Sequence, residues 1–248
     1  MKQLLFVTLI VFSGQLLAQS VIPRGTILPV RLNSSLRFDK ALAGDQISAK
    51  VMQEVPLPDG SKIRSGSKVL GHVVASKAAG NGTEAEISLR FDTLVMGRHR
   101  FAVITNLRAL ATMMDVADAQ VPESGPDRGT PWNAWTTGQI GGEVVYRGDG
   151  VAHGANIVGH SVFGGWVLVH VSAKPGQECR GEVAGNDQPQ ALWVFSSDAC
   201  GLFDFPDVTL THAGRTDPVG QIRLNSKKSN LKILADSGML LRVDGDGR

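Results

Sequence analysis

The sequence predicts an all-β protein, in which a small N-terminal β-barrel precedes a disulfide-stapled β-sandwich or second barrel. Its composition is one reason: 29 Gly and 11 Pro are scattered without a period among 42% hydrophobic residues, which is typical of many short strands separated by turns. A second reason is the alternation of apolar and polar residues in short segments of both halves. The third is a repeated phrase, in which Gly25 and Gly66 each follow an apolar residue by three positions and precede another by three. The phrase indicates a duplicated turn-and-strand unit.

Residues 1–20 have the pattern of a secretory signal peptide. Lys2 supplies the positive charge, an apolar segment follows it, and small residues at Ala18 and Ser20 offer two cleavage positions. An uncleaved N-terminal anchor is the alternative interpretation. Either way the sequence predicts an exported protein, located in the periplasm, on the cell surface or outside the cell.

The chain as a whole has too little net charge to attract polyanions over long distances. The formal charge is +2, and loss of Lys2 with the leader lowers it to about +1. A value so close to zero argues against nucleic acid as a partner. No later stretch is apolar enough for a membrane span.

The first module, residues 21–118, contains five predicted strands. Periodicity and turn residues place them at 26–32, 46–55, 69–74, 86–93 and 101–105. Pro29 makes the first an edge or bent strand. Because no convincing helix separates the five, we expect a closed or nearly closed barrel, with Gly25 and Gly66 as equivalent turn glycines.

Four motifs in this module carry a family resemblance. They read Ile-Pro-x-Gly-Thr-x-Leu from Ile22, Gly-Asp-x-Ile-x-Ala-x-Val from Gly44, Ile-x-x-Gly-Ser-x-Val-x-Gly from Ile63 and Leu-x-Phe-x-x-Leu from Leu89. In this order they resemble the C-terminal β-barrel of the TrbI-like proteins of conjugation and type IV secretion systems, over residues 22–106. The resemblance implies a barrel at the cell envelope. It implies no secretion-channel role, because the family's membrane helix and helical insertion have no counterpart in this sequence. The whole chain also resembles uncharacterised secreted bacterial proteins.

The middle of the chain contains one helical candidate and a predicted linker. Residues 107–120 place apolar side chains near a 3.6-residue period, which predicts a helix. Residues 119–138 are rich in Pro, Gly and polar residues and are predicted to be a linker or long loop. Trp132 and Trp135 in this linker could stack on a sugar or a partner, or could fix the linker to a neighbouring domain.

Residues 139–248 form the predicted second module. Nine short apolar segments at roughly ten-residue spacing predict a β-sandwich or second barrel. The chain has two cysteines, Cys179 and Cys200, and in an oxidising compartment we predict a disulfide between them. A thiolate ligand or nucleophile is the alternative, but no C-x-x-C spacing supports it.

The candidate chemical groups fall mainly in the second module. His153, His160, His170 or His212, together with Asp198, could form a metal or hydrolytic site, although their spacing matches no compact ligand motif.

Two further patterns are best explained by chance. Ser65 and Lys68 satisfy S-x-x-K, a motif of penicillin-binding proteins, but the later S-D-N and K-T-G motifs of that class are missing. Asp244 and Asp246 resemble the start of a calcium loop without its closing acidic ligand.

The sequence therefore favours a non-enzymatic, exported, envelope-associated or secreted binding or scaffold protein. We assign no catalytic, cofactor-binding or metal-binding residue, and we predict no cofactor. The expected partner is an envelope protein or a glycan. The alternative is a secreted hydrolase or metal-dependent enzyme with a histidine-based site in the second module.

Overall fold

A computed structural model describes residues 21–80, 82–120, 136–147, 150–153, 156–162, 165–168, 190–196, 199–228 and 231–247. The predicted signal peptide, Trp132, Trp135, His170 and Asp198 lie outside these residues.

The described residues form twenty strands and one short helix. The strands are β1 Ile27–Leu32, β2 Leu36–Arg37, β3 Gln46–Val51, β4 Val55–Pro56, β5 Lys62–Ile63, β6 Lys68–Lys77, β7 Ala85–Met96, β8 His99–Ala102, β9 Ile104–Ala111, β10 Thr136–Gln139, β11 Gly142–Arg147, β12 Gly150–His153, β13 Asn156–Val162, β14 Gly165–Leu168, β15 Gln190–Ala191, β16 Gly201–Phe203, β17 Val208–His212, β18 Ile222–Ser226, β19 Lys232–Ile233 and β20 Gly238–Gly245. The helix, α1, is Met113–Asp118. The all-β prediction is confirmed.

Ten of these strands form one large sheet. Their order is β16-β9-β20-β1-β3-β6-β7-β18-β17, and β8 also pairs with β7. Every pairing in this sheet is antiparallel except that of β16 with β9. Only Val103 separates β8 from β9, and its N–H donates to the Asp92 carbonyl at 2.9 Å. This bent segment contacts β7 on one side and β20 on the other, so the sheet is strongly curled.

We predicted a closed or nearly closed barrel from residues 21–118, and the closed form is wrong. Strand β20 lies between β1 and β9, with Leu241 opposite both Leu28 and Leu107. Without this C-terminal strand, β1 and β9 would each lack a neighbour, and unpaired backbone groups in a buried sheet are costly. The hydrogen-bonded strand order is an open path from β16 to β17.

Most of the C-terminal strands belong to this large sheet rather than to a separate sandwich. Strand β18 pairs with β7 in the large sheet, whereas β19 pairs with β2 in a separate two-stranded sheet. A further sheet is a six-stranded antiparallel meander of β10 to β15, in chain order. Residues 139–248 therefore contribute to three sheets.

The inner face of the large sheet holds the main core, here called the inner cluster. Strand β18 shows why: Ile222, Leu224 and Ser226 are buried, and the residues between them are partly exposed. This period of two directs one set of side chains into the curled sheet. The largest of the cluster's fully buried side chains include Phe38, Leu89, Phe91, Leu94 and Leu107.

A second cluster lies on the outer face of β1, β9 and β20, and we call it the outer cluster. Its members are Ile27, Ala109, Ala111, Val116, Ala119, Ile140, Leu192, Trp193, Val194, Phe195, Ala199 and Leu240. It fixes α1, the segment 190–196 and Ala199 to the sheet. A Cβ added at Gly238 would lie 2.7 Å from Val116 Cγ2 and 3.3 Å from Trp193 Cζ3, so only glycine permits this packing.

The helix predicted over residues 107–120 is wrong in its first part. Residues up to Ala111 continue strand β9, because nearly all their side chains are buried and both faces of the strand are covered. Helix α1 begins after Thr112, whose hydroxyl accepts from the Asp115 N–H while the Asp115 carboxylate accepts from the Thr112 N–H. This reciprocal capping box marks the helix start.

Gly25 and Gly66 occupy turns that precede β1 and β6, with φ of 91° and 87°. Within the described residues, no helix is long and apolar enough to cross a membrane.

Candidate ligand-binding cleft

A cleft of about 420 Å³ lies against the outer face of β6 and β7, and we call it the β6–β7 cleft. Its lining residues are His72, Arg90, Asp92, Ala102, Val103, Ile104, Val219, Gly220 and Gly247. The charged groups come from two neighbouring strands, and the apolar wall comes from the β8–β9 segment.

A β-bulge gives the polar side of the cleft its geometry. Leu70 is opposite Thr93 and Gly71 is opposite Phe91, so Asp92 is the extra residue. A Cβ at Gly71 would lie 2.0 Å from the Arg90 carbonyl oxygen. Glycine at position 71 therefore permits the close approach that the bulge requires.

The bulge brings His72 and Asp92 together. The His72 Nδ1 atom lies 3.1 Å from Asp92 Oδ2, and both side chains are about one-third exposed, at 36% and 37%. The other carboxylate oxygen of Asp92 accepts a hydrogen bond from the Thr93 hydroxyl at 2.8 Å. Because the carboxylate holds the proton on Nδ1, the neutral imidazole has its acceptor at Nε2.

Arg90 supplies a cation that no described carboxylate neutralises. It stands opposite His72 in the β6–β7 ladder, and its Nη2 donates to the Val219 carbonyl oxygen at 3.3 Å. Its Nε atom is buried without a hydrogen-bond partner. A guanidinium in such a place is suited to a carboxylate or phosphate group of a ligand.

The loop between β17 and β18 forms the rim of the cleft, and His212 organises it. The His212 Nδ1 atom lies 2.6 Å from the Gln221 carbonyl oxygen, and Nε2 lies 3.2 Å from the Thr216 hydroxyl. The Gly214 N–H also lies 3.2 Å from Nδ1, but a carbonyl oxygen can only accept, so the shorter contact assigns the Nδ1 proton to the bond with the Gln221 carbonyl. Both ring nitrogens are engaged within the loop, so His212 has a structural part in shaping the cleft.

The structure does not bring the predicted histidines together in what it describes. His212 is on β17 of the large sheet, whereas His160 is exposed on β13 of the meander. The side chain of His153 lies outside the description. In the described ranges, no group of three or more His, Cys, Asp or Glu side chains could hold a metal ion.

The other sequence candidates have local structural contacts. The Ser65 hydroxyl donates to the Met52 carbonyl oxygen at 3.1 Å, in the turn before β6. The Asp244 carboxylate accepts from Asn106 Nδ2 at 2.6 Å and from Arg242 Nη1 at 2.7 Å. These partners account for both residues without an enzyme or calcium site.

Among the residues that the structure describes, no cysteine is free. Cys179 lies outside the described residues. The Cys179–Cys200 pairing therefore stays a prediction.

Sequence reasoning missed the trio His72, Arg90 and Asp92. The alternation in residues 86–93 puts Arg90 and Asp92 on one strand face, which is a usable signal. The bulge that aligns His72 with them depends on long-range register, which sequence periodicity does not give.

The comparisons with known proteins add no relative. The chain matches no known protein family, no curated protein and no solved structure. The resemblance of residues 22–106 to the TrbI-like barrel stays a prediction.

Proposed function

We propose that this protein is exported and serves as a non-enzymatic binding or scaffold protein in the cell envelope or outside the cell. The apolar leader pattern of residues 1–20 supports export. The proposed partner is an envelope protein or a glycan, and the TrbI-like motifs favour an envelope location.

One observation carries the binding function: the un-neutralised Arg90 in the β6–β7 cleft, beside the His72–Asp92 pair. The guanidinium can donate to an anionic group, and the neighbouring imidazole can accept from a hydroxyl or amine of the same ligand. The wall formed by Ala102, Val103 and Ile104 offers apolar contact. The cleft therefore suits a small ligand, or a chain end, with one carboxylate or phosphate on a partly apolar body.

Titration calorimetry with a panel of small carboxylates, sugar acids and sugar phosphates tests this. We expect at least one class to bind, and Arg90→Gln to weaken it by about ten- to a hundredfold, the usual cost of a lost charged hydrogen bond. Arg98→Gln is the matched control, because Arg98 is exposed in the turn between β7 and β8. Equal binding by Arg90→Gln and the native protein would refute the assignment of the cleft.

Export has its own test. Expression of the full chain followed by N-terminal sequencing of the envelope and secreted fractions should give a mature chain that begins after Ala18 or Ser20. Recovery of the uncleaved chain in the cytoplasm alone would contradict the proposal.

A second candidate function is hydrolysis, which the His72–Asp92 pair specifically favours. An imidazole held by a carboxylate through Nδ1 is the arrangement of a general base, and Nε2 could activate a water molecule. Turnover of model esters, amides or glycosides that falls sharply in Asp92→Asn, while ligand binding persists, would establish this alternative. Binding without turnover would favour the first proposal.

A further inference from the structure

Three cations lie in line across the outer face of the large sheet. Lys50 on β3 is opposite Lys68 on β6; Lys68 is opposite Val95 on β7, and Val95 is opposite Arg100 on β8. Residues that are opposite in a ladder project to the same side of the sheet. We call Lys50, Lys68 and Arg100 the cation row.

The cation row is accessible and lacks counterions. Lys68 and Arg100 are exposed and Lys50 is partly exposed. None of the three makes an ion pair or a side-chain hydrogen bond with the described residues. Arg31 continues the line on β1, opposite Lys50, but it is paired with Asp236 at 3.2 Å. Arg31 is therefore neutralised by a carboxylate, whereas the three cations of the row are not.

The arrangement is unfavourable for the sheet itself. Like charges directly opposite each other in a ladder destabilise it. Edge protection does not account for Lys50 and Lys68, because β3 and β6 are interior strands of the sheet. Elsewhere on the surface, Lys62 and Lys228 are matched by Glu54 and Asp207 at 2.8 and 2.5 Å.

We propose that the cation row is a binding surface for a linear polyuronate, a glycan with a carboxylate on its sugar rings. This extends the proposed binding function to a second surface, and it does not depend on the β6–β7 cleft. Neighbouring strands are about 4.8 Å apart, so the row presents positive charge at one strand spacing and then at two. A pyranose ring adds a similar length to a glycan chain, so carboxylates on the first, second and fourth rings can reach the three cations through the flexible Lys and Arg side chains.

Other polyanions fit this surface less well. Side chains on one face of an extended acidic peptide recur at about 6.6 Å, twice the rise per residue, and fall out of step with the strands. Single-stranded nucleic acid is held mainly by stacking on aromatic side chains, whereas the residue within the row is Val95. A sugar ring can lie against Val95 and the partly exposed Leu70 beside it.

The test measures binding of the mature full-length chain to oligogalacturonate of defined length. A neutral oligosaccharide of similar length, polyglutamate and single-stranded DNA serve as comparison probes. We expect oligogalacturonate to bind best, with an affinity that falls as salt rises because three cations are neutralised. The triple variant Lys50→Gln, Lys68→Gln, Arg100→Gln should lose about tenfold or more and show a flatter salt dependence.

Two controls separate this proposal from the others. Lys77→Gln removes a positive charge from the exposed end of the same strand β6, and it should leave binding unchanged. The second control is a small sugar acid: its binding in the cleft should be retained by the triple variant that loses oligogalacturonate, so failure of the cleft assignment and failure of the cation row can be distinguished.

Three results would overturn the proposal. They are no binding of oligogalacturonate at low salt, equal or tighter binding of polyglutamate or DNA, and full binding by the triple variant. Because the substitutions relieve repulsion at the surface, the melting temperature of the triple variant should not fall. If it does fall, Lys68→Gln and Lys68→Arg alone give the answer: the first should weaken binding and the second should retain it.

Discussion

The inner and outer clusters are both apolar, but they differ in what they hold together. The inner cluster fills the curled sheet and includes residues from both ends of the chain, such as Leu28 and Leu241. The outer cluster is a single layer that fixes α1, segment 190–196 and Ala199 to three strands. Inner-cluster residues stabilise the sheet itself, whereas outer-cluster residues stabilise the packing of other segments against it.

The largest effect is expected in the inner cluster. Phe91 is fully buried on β7, the strand that pairs with β6, β8 and β18. Phe91→Ala should lower the free energy of unfolding by about 3–5 kcal/mol through lost burial and the cavity left behind. Urea denaturation followed by circular dichroism measures this. Val95→Ala, on the partly exposed face of the same strand, should lower the free energy of unfolding much less. Equal losses in the two variants would contradict the assignment of one face of β7 to the core and the other to the surface.

An equivalent change in the outer cluster should act more locally. Phe195 is fully buried against the sheet, and Phe195→Ala should cost about 3 kcal/mol, at the low end for such a truncation, because a single layer can settle into the space. Amide hydrogen exchange shows which segments lose protection in this variant. We expect faster exchange in segment 190–196 and α1, with β1 and β20 still protected. Uniform acceleration throughout the large sheet would show that the two clusters unfold as one unit.

A smaller effect is expected where a polar group supports the outer cluster. The Gln53 side-chain oxygen accepts a hydrogen bond from the backbone N–H of Trp193. The backbone of Trp193 has a φ of 49°. Gln53→Ala leaves a buried N–H without its acceptor and should cost about 1–3 kcal/mol. Thermal unfolding of this variant against Gln46→Ala, which changes an exposed glutamine on β3, isolates the contribution. No difference between the two would mean that Trp193 keeps its conformation through packing alone.

The smallest effect lies at the surface, outside both clusters. Arg37 donates to the Asp39 carboxylate from Nε at 3.0 Å and from Nη2 at 2.7 Å, and this hydrogen bonding lowers the pKa of Asp39 below its usual value. The resulting stabilisation is present above the ordinary pKa of an aspartate and is lost as the pH falls through the lowered one. An NMR titration should show the pKa of Asp39 rising in Arg37→Gln, with no change in either cluster. A pKa that does not move would contradict the hydrogen-bond assignment.

The same contrast explains what the sequence could predict. Strands with one covered face, such as β3, alternate cleanly, and β3 lies within the segment 46–55 that was predicted for it. Strand β9 is covered on both faces, and its second half, from Leu107 to Ala111, was mistaken for helix because an apolar run has no period that distinguishes the two. The pairing of β20 with β1 was not predictable, since no local pattern specifies a partner so distant in the chain. The cleft was missed for the same reason.

The position of β20 between β1 and β9 also has a kinetic consequence. The large sheet cannot be completed until nearly the whole described chain is available, because its central ladders join the first strand to the last. Topologies with such high contact order fold slowly, and β1 and β9 stay exposed as unpaired, aggregation-prone edges until β20 arrives. If the chain crosses a membrane in extended form, the large sheet can form only after β20 has crossed. Truncation before Gly238 should therefore abolish folding of the sheet rather than shorten it.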